Sequence, residues 1–109
     1  MATKYVHVYQ NGNEVRVEPP VIVLRGGRDQ MELVNNTDWK LEWTVPPGPF
    51  TVKEPHKEPI AKRGHSTKPR ARRVRLATAY SVVAIWISRG KTRRKTARGN
   101  SDPVIIIDL

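Results

Sequence analysis

The sequence contains no cysteine among its 109 residues. This excludes a disulfide, a thiolate nucleophile and a cysteine metal ligand. No apolar stretch in the sequence approaches the roughly 20 residues that a membrane-spanning helix needs. The N-terminal residues 1–5 have no apolar signal region and run straight into a strand pattern. We therefore expect a cytoplasmic protein, unless processing has removed a leader.

Groups that could carry catalysis are sparse as well. The only histidines are His7, His56 and His65, and none of them has the spacing typical of metal ligands. The ten carboxylates are scattered over the predicted strands and turns. No serine sits in a nucleophile turn, and no glycine-rich loop opens a helix that could hold phosphate. We therefore expect neither an enzyme nor a metal or other cofactor.

Negative charge is missing from most of the second half of the chain. No acidic residue occurs between Pro59 and Ser101. Residues 1–58 carry seven Lys and Arg against eight Asp and Glu, whereas residues 59–109 carry thirteen against two, and the whole chain has a net charge of +10. Such a field raises the local concentration of polyanions.

The most informative apolar stretch is residues 80–87, Tyr-Ser-Val-Val-Ala-Ile-Trp-Ile. It is short, rich in β-branched and aromatic residues, and is followed by Ser88-Arg89-Gly90, so it predicts a strand and not a helix. Both of its faces are apolar, and we therefore expect both faces to be covered.

Several other short stretches have the alternation or the flanking turns of strands. The clearest is residues 39–45, where Leu41, Trp43 and Val45 share one face. Further strands are predicted at residues 3–9, 14–18, 21–24, 30–35, 70–78 and 104–107, and Gly12 belongs to a predicted hairpin turn. Residues 53–69 and 89–101 are predicted to be basic loops. About seven or eight strands at this spacing predict one all-β domain over residues 1–109, an antiparallel Greek-key sandwich or a barrel.

The order of these segments resembles the cupredoxin-like sandwich. The resemblance rests on Pro19-Pro20 before Val21-Ile22-Val23-Leu24, on Asn35-Asn36 after the next strand, on the strand begun by Tyr80, and on the closing Asp102-Pro103-Val104-Ile105-Ile106-Ile107. The copper ligands of that family are absent, because Leu41, Ala84 and Ile87 stand where His, Cys and His would fall. The resemblance implies the scaffold without the metal site.

The basic segments are the strongest functional signal. The candidate polyanion-binding residues are Lys62, Arg63, Lys68, Arg70, Arg72, Arg73 and Arg75 in one group and Arg89, Lys91, Arg93, Arg94, Lys95 and Arg98 in the other. If the strands bearing Arg75 and Arg89 are antiparallel neighbours, the two groups merge into one surface, with Arg70 opposite Arg89. We therefore expect a module that binds nucleic acid or another polyanion by neutralising phosphates. No aromatic residue within these segments is available to stack on a base.

The same residues also fit two alternative roles. The cations can form a solvated surface that keeps the protein soluble. Alternatively, the chain is an assembly or adaptor protein that forms homo-oligomers through strands such as residues 104–107 or through its oppositely charged halves. Packing inside a monomer also accounts for the apolar strands and the tryptophans.

Overall fold

The computed structural model describes residues 2–51, 56–97 and 102–109. Those residues are all-β, and they form ten strands where the sequence predicted seven or eight. The strands are β1 (Thr3–Asn11), β2 (Glu14–Glu18), β3 (Val21–Arg25), β4 (Gln30–Asn36), β5 (Lys40–Val45), β6 (His56–Ile60), β7 (Leu76–Ala79), β8 (Ser81–Ser88), β9 (Lys91–Thr96) and β10 (Val104–Asp108). The described ranges hold no helix that could cross a membrane.

The described strands pair in three sheets, ordered β2-β1-β4, β3-β10-β7 and β6-β5-β8-β9. The pairs β1 with β4 and β3 with β10 are parallel, so the prediction of a wholly antiparallel sandwich was wrong for these two pairs. The chain changes sheet between β2 and β3 at Pro19-Pro20, where neither residue has an N–H for a ladder hydrogen bond. It changes sheet again between β7 and β8 at Tyr80, whose N–H donates to Pro103 O at 3.0 Å. Side chains from all three sheets meet in a single apolar core, so the arrangement is sandwich-like.

The alternating strands bury the residues that the sequence predicted. Leu41, Trp43 and Val45 of β5 are fully buried, while the alternate positions of that strand are exposed or half-buried. Val15 and Val17 of β2 are buried in the same way. Gly12 has a φ of 62° in the turn between β1 and β2, and this positive value favours glycine.

Within residues 2–51, 56–97 and 102–109, the central strand β8 is covered on one face only. Val82 and Ala84 are fully buried, but Val83 and Ile85 on the opposite face are half-buried and Ile87 is 77% exposed. The expectation that both faces are covered was therefore wrong. The two strands that pair with β8, β5 and β9, lie at its edges and do not cover its outward face.

The two predicted basic loops contain strands. Residues 56–60 pair with β5 as β6, and residues 91–96 pair with β8 as β9. The first strand was not predicted because β6 contains Pro59 and mostly polar residues. The second was not predicted because β9 consists of lysine, arginine and threonine and has no apolar face, and all six of its residues are exposed. Residues 53–55 and 98–101 of the predicted loops lie outside the described residues.

The predicted strand at residues 70–78 is regular only from Leu76 to Ala79, as β7. Before it, Arg70 forms an isolated bridge with Gln30 and Ala71 with Phe50. These two bridges lead to different parts of the chain, so this segment crosses between layers and does not extend one ladder.

The molecule therefore has two ends, and basic residues gather at each of them. The arginine end holds the turn of residues 25–29 before β4, together with residues 70–75, since Arg70 pairs with the first residue of β4. The hairpin end holds the turn Arg89-Gly90. This turn lies beside the connection between β4 and β5. Lys40, the first residue of β5, pairs with Ile85, and β8 runs on past that pair to Ser88.

Tyr80 provides a test of the buried packing. Its side chain is buried, its hydroxyl has no hydrogen-bond partner among the described residues, and burial raises its pKa well above the ordinary value. The unfolded chain ionises near pH 10 while the folded chain keeps the proton, so stability is expected to fall above about pH 10, by about 1.4 kcal/mol per pH unit.

We expect Tyr80→Phe to leave stability at pH 7 within about 1 kcal/mol of the wild type, because only an unpaired hydroxyl is removed. At pH 11 the variant is expected to be more stable than the wild type by about 1.4 kcal/mol more than at pH 7. Urea unfolding at both pH values measures this difference. The same loss of stability at pH 11 in both proteins would contradict the role given to Tyr80.

Candidate functional site

The β8–β9 hairpin closes in a two-residue turn. Ser88 pairs with Lys91, and the residues between them, Arg89 and Gly90, have φ values of 52° and 73°. Two positive φ values are the requirement of the type I′ turn, whose twist matches that of the flanking strands. The turn thus places the exposed Arg89 at the tip of the hairpin.

Strand β9 presents a row of exposed cations. It lies at the edge of its sheet in the described part of the chain, and Lys91, Arg93 and Lys95 alternate with Arg94 on the other face. Residues two apart on a strand are separated by about 7 Å. Within the described ranges no carboxylate oxygen lies within 4.0 Å of these four side chains. The described carboxylates therefore leave the positive charge of β9 without ion pairs.

An aromatic pair lies beside this strand. Trp86 is directly opposite Arg93 in the ladder and stacks on Trp39, with ring centroids 4.8 Å apart and 19° between the planes. Both rings are half-buried and pack against the core. Nothing in the sequence indicated that Trp39 lies near β9, because Trp39 is far from the basic segments along the chain. The pairing of β5 with β8 and of β8 with β9 brings them together.

Several of the predicted binding residues are occupied by the protein's own acceptors. Arg63 donates to Asp38 Oδ1 through Nε at 3.1 Å and Nη2 at 3.0 Å, and to Asn36 O through Nη1 at 3.0 Å. Lys68 Nζ lies 3.6 Å from Glu32 Oε2, and Arg75 Nε lies 3.4 Å from Asp108 Oδ1. These three side chains are weaker candidates than the cations of β9, because part of their charge is compensated.

The predicted residues divide between the two ends of the molecule. Lys62 and Arg63 lie at the hairpin end, since Arg63 N donates to Thr37 O at 3.2 Å. Arg70, Arg72, Arg73 and Arg75 lie at the arginine end, where all four are exposed. The prediction of one merged surface with Arg70 opposite Arg89 was wrong, because β7 pairs with β10 and β8 pairs with β5 and β9 in another sheet. Arg98 lies outside the described residues.

Two arginines outside the two predicted basic groups, Arg25 and Arg28, also lie at the arginine end. Arg25 and Arg28 line a groove of about 440 Å³ together with Arg73, Gly26, Gly27 and Leu109. Gly26 is required there, because a Cβ at that position would lie 2.8 Å from Arg72 O. Asp108 and Asp29 lie near this group, Asp108 beside Arg75 and Asp29 accepting from Arg25 N at 2.8 Å.

His56 and His65 each lie beside one glutamate side chain. His65 Nδ1 lies 2.8 Å from Glu32 Oε1. His56 packs edge-on against Trp43, and its Nε2 lies 3.2 Å from Glu58 Oε1 without the geometry of a hydrogen bond. In the described part of the chain, no three His, Asp or Glu side chains are grouped so that they could hold a metal ion.

Comparison with known proteins gives no match to a family model, to a curated protein or to a solved structure. The function is therefore inferred from the geometry of the chain itself.

Proposed function

We propose that this protein is a non-enzymatic module that binds nucleic acid through the β8–β9 hairpin. The binding group consists of the tip residue and the cations of β9: Arg89, Lys91, Arg93, Arg94 and Lys95. These side chains neutralise phosphates of the ligand from both faces of the edge strand. The arginine end, with Arg25, Arg28 and Arg73, is a second and separate positive surface.

The observation that carries this proposal is the absence of ion pairs on β9 in the described ranges. Elsewhere on the surface, cations such as Arg16, Lys57 and Arg63 lie within 3.4 Å of a carboxylate. A set of cations that is left unpaired on an exposed edge attracts polyanions and steers them to that edge.

The binding energy comes from the release of counterions. Five cations that each meet one phosphate give a slope of log Kobs against log[salt] of about −3.5 on a single strand and about −4.5 on a duplex. Non-specific binding of this type has a Kd of about 10⁻⁴–10⁻⁶ M at physiological salt. Trp39 and Trp86 are half-buried against the core. We therefore propose that the hairpin contacts phosphates and does not read bases.

Fluorescence anisotropy with a labelled 16-nucleotide single strand, its duplex and heparin tests this proposal. We expect micromolar binding of the oligonucleotides near 100 mM salt, no dependence on base sequence, and a slope between about −3 and −4.5. If the protein binds heparin but neither oligonucleotide, its ligand is another class of polyanion and not nucleic acid. No binding at 50 mM salt, or binding that does not weaken up to 300 mM salt, would overturn the proposal.

For the fold we propose the cupredoxin-like Greek-key topology. Two features support it. β1 pairs in parallel with β4, and β3 pairs in parallel with β10. The chain also passes from one sheet to another between β2 and β3 and between β7 and β8. The scaffold on this proposal carries no copper site.

A further inference from the structure

The groove at the arginine end brings three arginines onto one small surface. Arg25, Arg28 and Arg73 line it, and its volume of about 440 Å³ lies within the range of about 300–1,000 Å³ that is typical of small-molecule sites. None of the three residues belongs to the β8–β9 hairpin, which lies at the other end of the molecule. The groove is therefore a candidate for a second site with a ligand of its own.

The carboxylates that the structure describes leave the charge of these three arginines uncompensated. Within residues 2–51, 56–97 and 102–109, no carboxylate oxygen lies within 4.0 Å of their guanidinium nitrogens. Two aspartates at this end already have other partners. Asp29 Oδ2 accepts from the main-chain N–H of Arg25 at 2.8 Å. Asp108 Oδ1 lies 3.4 Å from Arg75 Nε and accepts from Leu109 N at 2.9 Å. The groove thus presents three guanidinium groups to an anion from solution.

The main chain beneath the groove is fixed by hydrogen bonds from two glycines. Gly26 N donates to Asp108 O at 2.7 Å and Gly27 N donates to Ala71 O at 2.9 Å. Because both N–H groups are used, a bound anion is held by side chains. A Cβ on Gly27 would lie 3.4 Å from Arg73 Cβ and 3.7 Å from Arg73 Cγ. The stem of Arg73 therefore packs against the turn that carries the other two arginines.

We propose that this groove binds a phosphate monoester, such as a sugar phosphate or the 5′-phosphate at the end of a nucleic-acid strand. A guanidinium group donates two parallel hydrogen bonds to a phosphate or a carboxylate. A monoester offers three terminal oxygens and a charge of about −1.5 to −2 at pH 7, so each of the three arginines has an oxygen to meet. A carboxylate and a phosphate diester each offer two such oxygens and a single charge, and we expect both to bind more weakly.

NMR titration of the isotope-labelled protein with ribose 5-phosphate tests the proposal. We expect saturable shifts of the amide signals of Gly26, Gly27 and Arg28. The Kd is expected to be about 0.1–1 mM, because the three arginines are exposed and ion pairs in water are weak. Dimethyl phosphate, a diester, is expected to bind about tenfold more weakly or worse. The signals of β9 in the same spectra report on the hairpin, so the two sites are tested separately.

Arg28→Gln together with Arg73→Gln is expected to weaken the binding of ribose 5-phosphate by about tenfold or more, because two of three charged donors are lost. The matched control is Arg93→Gln with Arg94→Gln. It removes two exposed arginines that likewise lack a described ion pair, but at the hairpin end, and it is expected to change this Kd by less than about twofold. Dispersed amide signals check that both variants fold.

A 16-nucleotide strand with a 5′-phosphate, compared with the same strand ending in a 5′-hydroxyl, identifies the source of the phosphate. Tighter binding of the phosphorylated strand that is lost in the Arg28 and Arg73 variant supports the proposal with a strand end as ligand. Equal binding of the two strands, with ribose 5-phosphate still bound, supports it with a free small phosphate.

Three results would overturn the proposal. The first is the absence of shifts at residues 25–28 with about 10 mM ribose 5-phosphate, tenfold above the expected Kd. The second is equally tight binding of dimethyl phosphate. The third is an equal loss of binding in the control with glutamine at Arg93 and Arg94, which would show that net charge and not the groove determines binding.

Discussion

Replacement of Lys91, Arg93, Arg94 and Lys95 together by glutamine is expected to lower the affinity for a 16-nucleotide single strand by about 100- to 1,000-fold at 50 mM salt. The loss follows because these side chains supply four of the five phosphate contacts proposed for the hairpin, and each contact contributes through counterion release. Anisotropy titrations of the variant beside the wild type measure it.

The matched control removes four exposed cations outside the hairpin: Lys4, Arg16, Arg28 and Lys57, each replaced by glutamine. Its net charge equals that of the hairpin variant, but two of its residues pair with carboxylates, Arg16 with Glu14 and Lys57 with Glu42. We expect an affinity loss below about fivefold. Equal losses in the two variants would show that the net charge, and not β9, determines binding.

Cations on an edge strand can also serve to prevent pairing with another sheet. If that were the whole role of β9, the hairpin variant would aggregate at high concentration while its affinity for nucleic acid stayed unchanged. Light scattering of the variant alone, next to its binding curve, separates the two roles.

The second large effect is expected in the core. Trp43 is fully buried, and its ring packs edge-on against Phe50, His56 and Tyr80 at centroid distances of 5.9, 4.9 and 6.5 Å. Truncation to alanine leaves a cavity at the centre of this cluster. We expect Trp43→Ala to destabilise the fold by about 3–5 kcal/mol, a drop in Tm of roughly 15–30 °C.

Trp86→Ala is the control for that prediction. Its ring is half-buried and stacks on Trp39, so its removal is expected to cost only about 1–2 kcal/mol. Thermal unfolding followed by circular dichroism gives both values. A loss at Trp86 as large as the loss at Trp43 would mean that the stacked pair, and not the cluster around Trp43, holds the layers together.

Much of the all-β fold could be predicted from local pattern. Leu41, Trp43 and Val45 alternate with polar residues because one face of β5 is buried. Strand β9 has no such alternation, because both of its faces are in water and its strand conformation comes from hydrogen bonding to β8. Alternation of apolar and polar residues reflects the burial of one face of a strand. A strand without a buried face, such as β9, therefore lacks this pattern.

The cations of the candidate site can be identified in the sequence, but the surfaces that they form cannot. The cations are visible in the sequence, whereas their grouping depends on the change of sheet at Tyr80, which sends β7 and β8 to different neighbours. Likewise, the ion pair that offsets the charge of Arg63 joins it to Asp38, 25 positions away in the sequence. Both facts come from the tertiary pairing and have no local signal.

The most direct test of the hairpin's role is the salt dependence of binding in the wild type and in the variant with glutamine at all four β9 cations. If those side chains meet phosphates, the magnitude of the slope of log Kobs against log[salt] falls by about 3 on a single strand. An unchanged slope, even with weaker binding, would contradict the assignment of phosphate contacts to β9.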